Sequence, residues 1–311
     1  MSDHSHHDHS HGHHTHNVGS NLKVAFFLNL GFTLLEIIGG LLTNSMAILA
    51  DALHDLGDSF ALGMAWALEK FSKKGKDAIF TYGYQRLSLV GALFNGVILL
   101  GGSLFILSKA LPRLLHPEAV HVPGMIFFAI VGIVVNGYAV LKLKSGKSLN
   151  ERMVSWHLLE DVLGWVAVLI VSLVLLYVDL PVLDPILSIL ITLYVLWNVL
   201  KNLKRVFLVF LQATPDTFEV GVFEEKVLEL PKVVSVHHTH IWSLDGEDHV
   251  LSNHIVMEAE STREEVVQVK NELKKLLHDY SIDHLTVDIE YEGEACVAEK
   301  SSMKKNKDFN D

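Results

Sequence analysis

Ser45-Met-Ala-Ile-Leu-Ala-Asp51-Ala-Leu-His54-Asp55-Leu-Gly-Asp58 opens a stretch apolar enough to cross a bilayer, yet it carries three carboxylates and an imidazole. Residues four apart fall on one face of an α-helix, so His54 and Asp58 offer a nitrogen and an oxygen toward the same point. Asp51 and Asp55 share that face at helical spacing. The pattern returns as His157-Leu-Leu-Glu160-Asp161 in another apolar stretch. A charge at the centre of a membrane helix costs about 2.5–3.5 kcal/mol even on the lenient insertion scale, so this many carboxylates on one helix call for a cation or a water-filled path. Two helices with one pair each supply two nitrogens and two oxygens. A tetrahedral set of that kind suits Zn²⁺, with Co²⁺ and Cd²⁺ as relatives. His54, Asp58, His157 and Asp161 are the expected ligands. Glu36, Asp51, Asp55 and Glu160 are supporting or proton-handling candidates, against the plainer reading that each is a structural residue satisfied by a neighbouring helix or a cavity water.

Working outward, the composition is that of a membrane protein: 50% of the 311 residues are hydrophobic, 20% are charged and the mean hydropathy is +0.33. Soluble domains of this length are rarely so apolar. Stretches of about twenty apolar residues fall at 22–42, 46–68, 87–111, 122–141, 154–178 and 182–200, six expected spans. An even number puts both termini on one side of the membrane. Lys and Arg concentrate in loops 70–86 and 142–152 and just after residue 200, so the positive-inside rule makes both termini cytoplasmic. No cleavable leader is expected, because the first sixteen residues are nearly all polar.

The net charge of −11 is uneven: residues 1–211 carry 15 Lys and Arg against 14 Asp and Glu, whereas 212–311 carry 10 against 22. An acidic, water-soluble unit therefore follows the spans; it repels nucleic acid and attracts cations. Pro215 marks the boundary. Beyond it the pattern predicts a helix at 218–230, strands at 233–244 and 249–258 around an Asp245-Gly246 turn, a helix at 262–280 and a strand at 285–290. That order makes a three-stranded α+β unit with its helices on one face. The expected domains are a His-rich disordered arm at 1–20, a six-helix transmembrane domain at 21–211, the α+β domain at 212–295 and a disordered tail at 296–311. The single cysteine, Cys296, excludes an intrachain disulfide framework and a Cys-rich zinc site.

Eight of the first sixteen residues are histidines, without the fixed spacing of one structural site. Interleaved Ser, Asp, Gly and Thr set the run apart from a hexahistidine tag, and a metal-capturing arm is the reading favoured here. Ligation needs neutral imidazole and ionised carboxylate, so metal and protons compete for the same groups and metal–proton antiport is the natural mechanism. Two rival classes are weaker. A membrane metallohydrolase lacks a His-Glu-x-x-His motif or a Gly-x-Ser-x-Gly elbow. A membrane-anchored metal sensor or scaffold using the soluble domain leaves the paired intramembrane ligands without a purpose.

The run from Ser45 to Asp58, Tyr82-Gly-Tyr-Gln-Arg86, His157 to Asp161, Asp184-Pro185-Ile-Leu-Ser and, in the soluble part, Val236-His237-His-Thr-His240-Ile-Trp242 with Asn253-His254 together resemble the cation diffusion facilitator family. The resemblance covers roughly residues 20–292 and is nearest the bacterial zinc, cobalt and cadmium resistance exporters. It implies a six-helix exporter of the inner membrane with a cytoplasmic ferredoxin-like domain, working as a homodimer and exchanging Zn²⁺ for protons. It also implies a regulatory ion at His237, His254 and Glu290, with Asp288 and His284 as neighbouring candidates. Some members bind a second metal in the loop between the second and third spans. Here that loop has Asp77 and no histidine, so no such site is expected.

Overall fold

The computed structural model describes residues 18–72, 76–143 and 149–296, with side chains described for 23–68, 76–141 and 158–296. The His-rich arm and the polar tail from residue 297 lie outside the described residues. Two compact units emerge, one of residues up to Tyr84 with Val90–Asn202, the other of Gln85–Leu89 with the residues from Leu203 onward.

The first unit is helical: α1 (Val18–Thr43), α2 (Met46–Ser72), α3 (Leu87–Leu115), α4 (Val122–Leu143), α5 (Leu149–Tyr177) and most of α6 (Leu183–Phe210). Stretches within α1, α3, α4, α5 and α6 are long and apolar enough to cross a membrane. α2 is as long, but Asp51, Asp55 and Asp58 interrupt its apolar run. Outward-facing positions hold large apolar side chains such as Leu28, Phe105, Phe127, Leu163 and Leu190. Such a surface suits lipid rather than water. α1 packs along α2 and α4 along α5. Trp165 of α5 is fully buried in a cluster with Ala47, Ile48, Met125, Ala129 and Val168. Its ring lies so close to α4 that a Cβ on Gly132 would stand 2.2 Å from it, so only glycine permits this approach.

The start of α2 is fixed by a residue of α6. Asp184, fully buried, accepts from Ser45 Oγ at 2.5 Å, from the Met46 backbone N–H at 2.7 Å and from that of Ala47 at 3.3 Å. Ser45 Oγ in turn accepts from the Ile48 N–H at 3.2 Å. Two side chains thus satisfy the orphan donors of a buried helix start. Arg113 of α3 closes the preceding turn through the Asn44 carbonyl at 3.0 Å and Asn44 Oδ1 at 2.7 Å.

The second unit continues after α6 with α7 (Val220–Leu228), β1 (Val233–Ser243), β2 (His249–Met257), α8 (Arg263–Leu276), a 3₁₀ turn (His278–Tyr280) and β3 (Ile282–Tyr291). The sheet order is β1-β2-β3, with β1 antiparallel and β3 parallel to β2. The parallel pair requires a crossover, which α8 supplies. Phe223 and Val227 of α7 and Val269 and Leu273 of α8 share one core with Ile241, Leu251, Ile255 and Met257, so both helices cover the same sheet face. The helix expected over 262–280 ends at Leu276, and the chain then tightens into the 3₁₀ turn before Ser281 at φ 50°. α6 runs ten residues beyond the expected end of the sixth span, because the polar residues after residue 200 leave the apolar pattern without leaving the helix.

Candidate metal sites

On α2, His54 and Asp58 sit one turn apart, with His54 Nε2 3.7 Å from Asp58 Oδ2 and both side chains about a quarter exposed (22% and 27%). Asp51 and Asp55 lie deeper and are buried, as are Glu36 of α1 and Asp161 of α5. Asp55 and Asp51 are close enough to Asp161 to interact electrostatically, and Glu36 faces both Asp55 and Asp51. Asp51 reaches α5 where that helix is thinnest: a Cβ on Gly164 would stand 3.5 Å from Asp51 Oδ1. Asn29 of α1 ties the group together by donating to the Asp55 carbonyl at 3.1 Å and to Ser59 Oγ at 3.0 Å.

The structure therefore gathers carboxylates from α1, α2 and α5 inside an apolar bundle, beside the His54–Asp58 pair. The side chain of His157 lies outside those described. Glu160 is exposed and bonds Tyr194 of α6, since neighbouring positions on a helix do not face each other. Asp184, which enters the sequence reading only within the Asp184-Pro185 stretch of the resemblance, takes a structural role that the sequence does not assign: it accepts from Ser45 and from the first N–H groups of α2.

The second cluster lies on the sheet face away from the helices. Along β2, Leu251, Asn253, Ile255 and Met257 are buried and alternate with His254, which faces outward beside His237 of β1. A bulge between His237 and His240, with His238 at φ 50°, adds one residue to β1. It keeps Val236 and Ile241 both on the core side and seats the His238 ring 5.3 Å from that of His254.

Glu290 of β3 completes the group. Its carboxylate accepts from His254 Nδ1 at 2.8 Å, and Oε2 is 3.3 Å from His237 Nε2 without the alignment of a hydrogen bond. Burial alone would raise the Glu290 carboxyl, but hydrogen bonds from His254 and Cys296 and the nearby His237 hold it below the ordinary range. Ligand atoms of His237, His254, Glu290 and Cys296 all lie within 4.8 Å of one another. Two imidazoles, a carboxylate and a thiol fit a borderline divalent ion. Cys296, expected in the tail, is instead buried at this site, because the turn after β3 folds back over the sheet. Asp288 is paired in register with His254 and His284 with Val250, but neither joins the group; His284 Nε2 stands 3.2 Å from Asp283.

Comparison with known proteins identifies the family. Residues 22–211 match the family described as cation efflux transmembrane domain, and 215–292 match the cation efflux protein cytoplasmic domain. Among curated relatives, the metal cation efflux system protein CzcD of Cupriavidus metallidurans is 33% identical over 87% of this chain and 86% of its own. The zinc transporter ZitB of Escherichia coli is 32% identical over 93% of each chain. The cadmium, cobalt and zinc/H(+)-K(+) antiporter of Bacillus subtilis is 30% identical over 89% of this chain and 91% of its own. The match spans both units and nearly the full length of the relatives, and the chain belongs to the cation diffusion facilitator family, whose members are cation efflux transporters and not enzymes.

Proposed function

We propose that the chain exports Zn²⁺ from the cytoplasm in exchange for protons, with Cd²⁺ and Co²⁺ as related cargo, through a tetrahedral site made by His54, Asp58, His157 and Asp161. The observation that carries this reading is the doubled His-x-x-x-Asp pattern, one copy on α2 and one on α5, within apolar helices. The gathering of Asp51, Asp55, Asp161 and Glu36 supports it, since a bundle that buries four carboxylates has a use for cations or protons there. Metal binds the deprotonated ligands, so protons arriving from the outer side displace it. Alternating tilts of the helices then expose the site to each side in turn. Relatives named for zinc transport and for H(+)-K(+) antiport of cadmium, cobalt and zinc support both cargo and coupling.

In this reading α2 is a sixth span beside the five apolar helices, and both termini lie in the cytoplasm of a bacterial inner membrane. The domain boundaries are 1–20, 21–211, 212–295 and 296–311, with Cys296, the first residue of the last segment, folded against the C-terminal unit. The C-terminal unit is a ferredoxin-like fold short of one strand. It dimerises with a second copy, with an ion at His237, His254 and Glu290 steadying the pair. Glu36, Asp51 and Asp55 handle protons or hold the ligands in place. A membrane-anchored sensor would rest on the C-terminal cluster alone and leaves the buried carboxylates unexplained. Flux of Zn²⁺ into inverted vesicles tests the coupling: it rises with an imposed pH gradient under this reading, and uptake indifferent to the gradient refutes it.

A further inference from the structure

We propose that Cys296 is the fourth ligand of the C-terminal site, a thiolate that makes it a two-nitrogen, one-oxygen, one-sulfur centre for soft and borderline divalent ions. This rests on the reading that His237, His254 and Glu290 hold an ion.

Buried free cysteines usually act as small apolar residues. That role would place Cys296 in the core that α7 and α8 form on the sheet, but it is outside that cluster. It is 5% exposed and keeps polar company instead: Sγ is 3.7 Å from His254 Nδ1, and the thiol bonds Glu290. The chain is steered there after β3. Glu292 N–H donates to the Met257 carbonyl at 2.9 Å, Gly293 takes φ 96°, and Glu294 N–H donates to the Tyr291 carbonyl at 2.9 Å. A positive φ of that kind suits glycine.

The spacing fits a metal. Bonds of about 2.0–2.1 Å to nitrogen and oxygen and about 2.3 Å to sulfur give tetrahedral edges of about 3.3 Å, widening to about 3.6 Å where sulfur is one end. The observed His237–Glu290 separation is 3.3 Å and the Cys296–His254 separation 3.7 Å. His254 Nδ1 and the other Glu290 oxygen, Oε1, are hydrogen-bonded at 2.8 Å, and the four ligand atoms together lie within 4.8 Å, so they close on an entering ion, which takes the place of that proton. Binding releases the thiol proton to solvent as the metal–sulfur bond forms. Sulfur tilts the site toward Cd²⁺ and Zn²⁺ and away from harder ions. It also fastens the segment after β3 to strands β1 and β2, so occupancy orders the end of the domain.

The chain has one cysteine, so any thiolate-to-metal charge-transfer band reports Cys296 alone. The full chain in detergent, with Asp58→Ala and Asp161→Ala to silence the intramembrane site, is titrated with Co²⁺ as the probe. The expected result is a near-ultraviolet charge-transfer band together with intense visible bands of tetrahedral Co²⁺. Cys296→Ser abolishes the first and keeps the second, while His254→Ala abolishes both. Tetrahedral bands that depend on His254 without any charge-transfer band overturn the thiolate and leave the three-residue site standing. No tetrahedral bands at all overturn both.

Discussion

Ser45 Oγ donates to Asp184 Oδ1 at 2.5 Å across 139 residues of sequence, joining the first turn of α2 to the first turn of α6. The helix that carries His54 and Asp58 therefore starts from a point that another helix fixes. A buried carboxylate holding three donors is costly to remove, because the buried donors are left unsatisfied. Asp184→Ala is expected to destabilise the protein by about 2–3 kcal/mol, a hydrogen bond to a charged group being worth about 1.5–3 kcal/mol. Asp184→Asn keeps an acceptor and loses less. Thermal unfolding in detergent checks the order, and equal melting of the two variants would argue against the cap.

Two glycines separate overpacking from ordinary contact. A methyl on Gly132 meets the Trp165 ring at 2.2 Å, whereas one on Gly164 meets Asp51 Oδ1 at an ordinary 3.5 Å. Gly132→Ala should cost about 1–3 kcal/mol through overpacking. Gly164→Ala should stay within about 1 kcal/mol of wild type, since alanine is the better helix former. Unfolding midpoints of the two variants, compared side by side, decide the matter.

Metal choice at the intramembrane site should follow its imidazoles. His54→Asp replaces a borderline nitrogen with a hard oxygen and enlarges the carboxylate share of the site. Discrimination between Zn²⁺ and Cd²⁺ is expected to fall in proteoliposome transport with each ion supplied alone. A ratio equal to that of wild type counts against His54 as a ligand.

Acid should loosen the start of α8. Thr262 and Glu265 form a reciprocal capping box, with the Thr262 N–H donating to Glu265 Oε2 at 2.7 Å. The backbone bond from Thr262, then that from its hydroxyl, holds the Glu265 carboxyl below its ordinary range. A depressed carboxyl stabilises fully above its unfolded value, and that contribution fades as pH falls through the folded one. Hydrogen exchange at the first turn of α8 should therefore quicken, after correction for intrinsic rates, as pH drops below the usual Glu range. Glu265→Gln should flatten that pH dependence.

Five of the apolar helices are legible because bilayer thickness fixes the length of an apolar run, and the two His-x-x-x-Asp copies stand out in sequence by their polar side chains within largely apolar stretches. Where hydropathy and helix part company, the reading slipped: α6 continues to Phe210 after its apolar stretch has ended. The elements of the C-terminal unit were legible from alternation and from Asp245-Gly246. Cys296 was not, since its proximity to His254, 42 residues earlier, depends on the parallel register of β3 and on the turn at Gly293. Nor was the bulge at His238, which only the pairing of β1 with β2 reveals.

Zn²⁺ flux in proteoliposomes under an imposed pH gradient, with wild type beside an Asp58→Ala, Asp161→Ala double variant, bears most directly on the intramembrane site. Gradient-driven flux in wild type that disappears in the variant is the outcome expected here. Equal flux in both, or none in either, would contradict the site and turn attention to the C-terminal cluster as the seat of function.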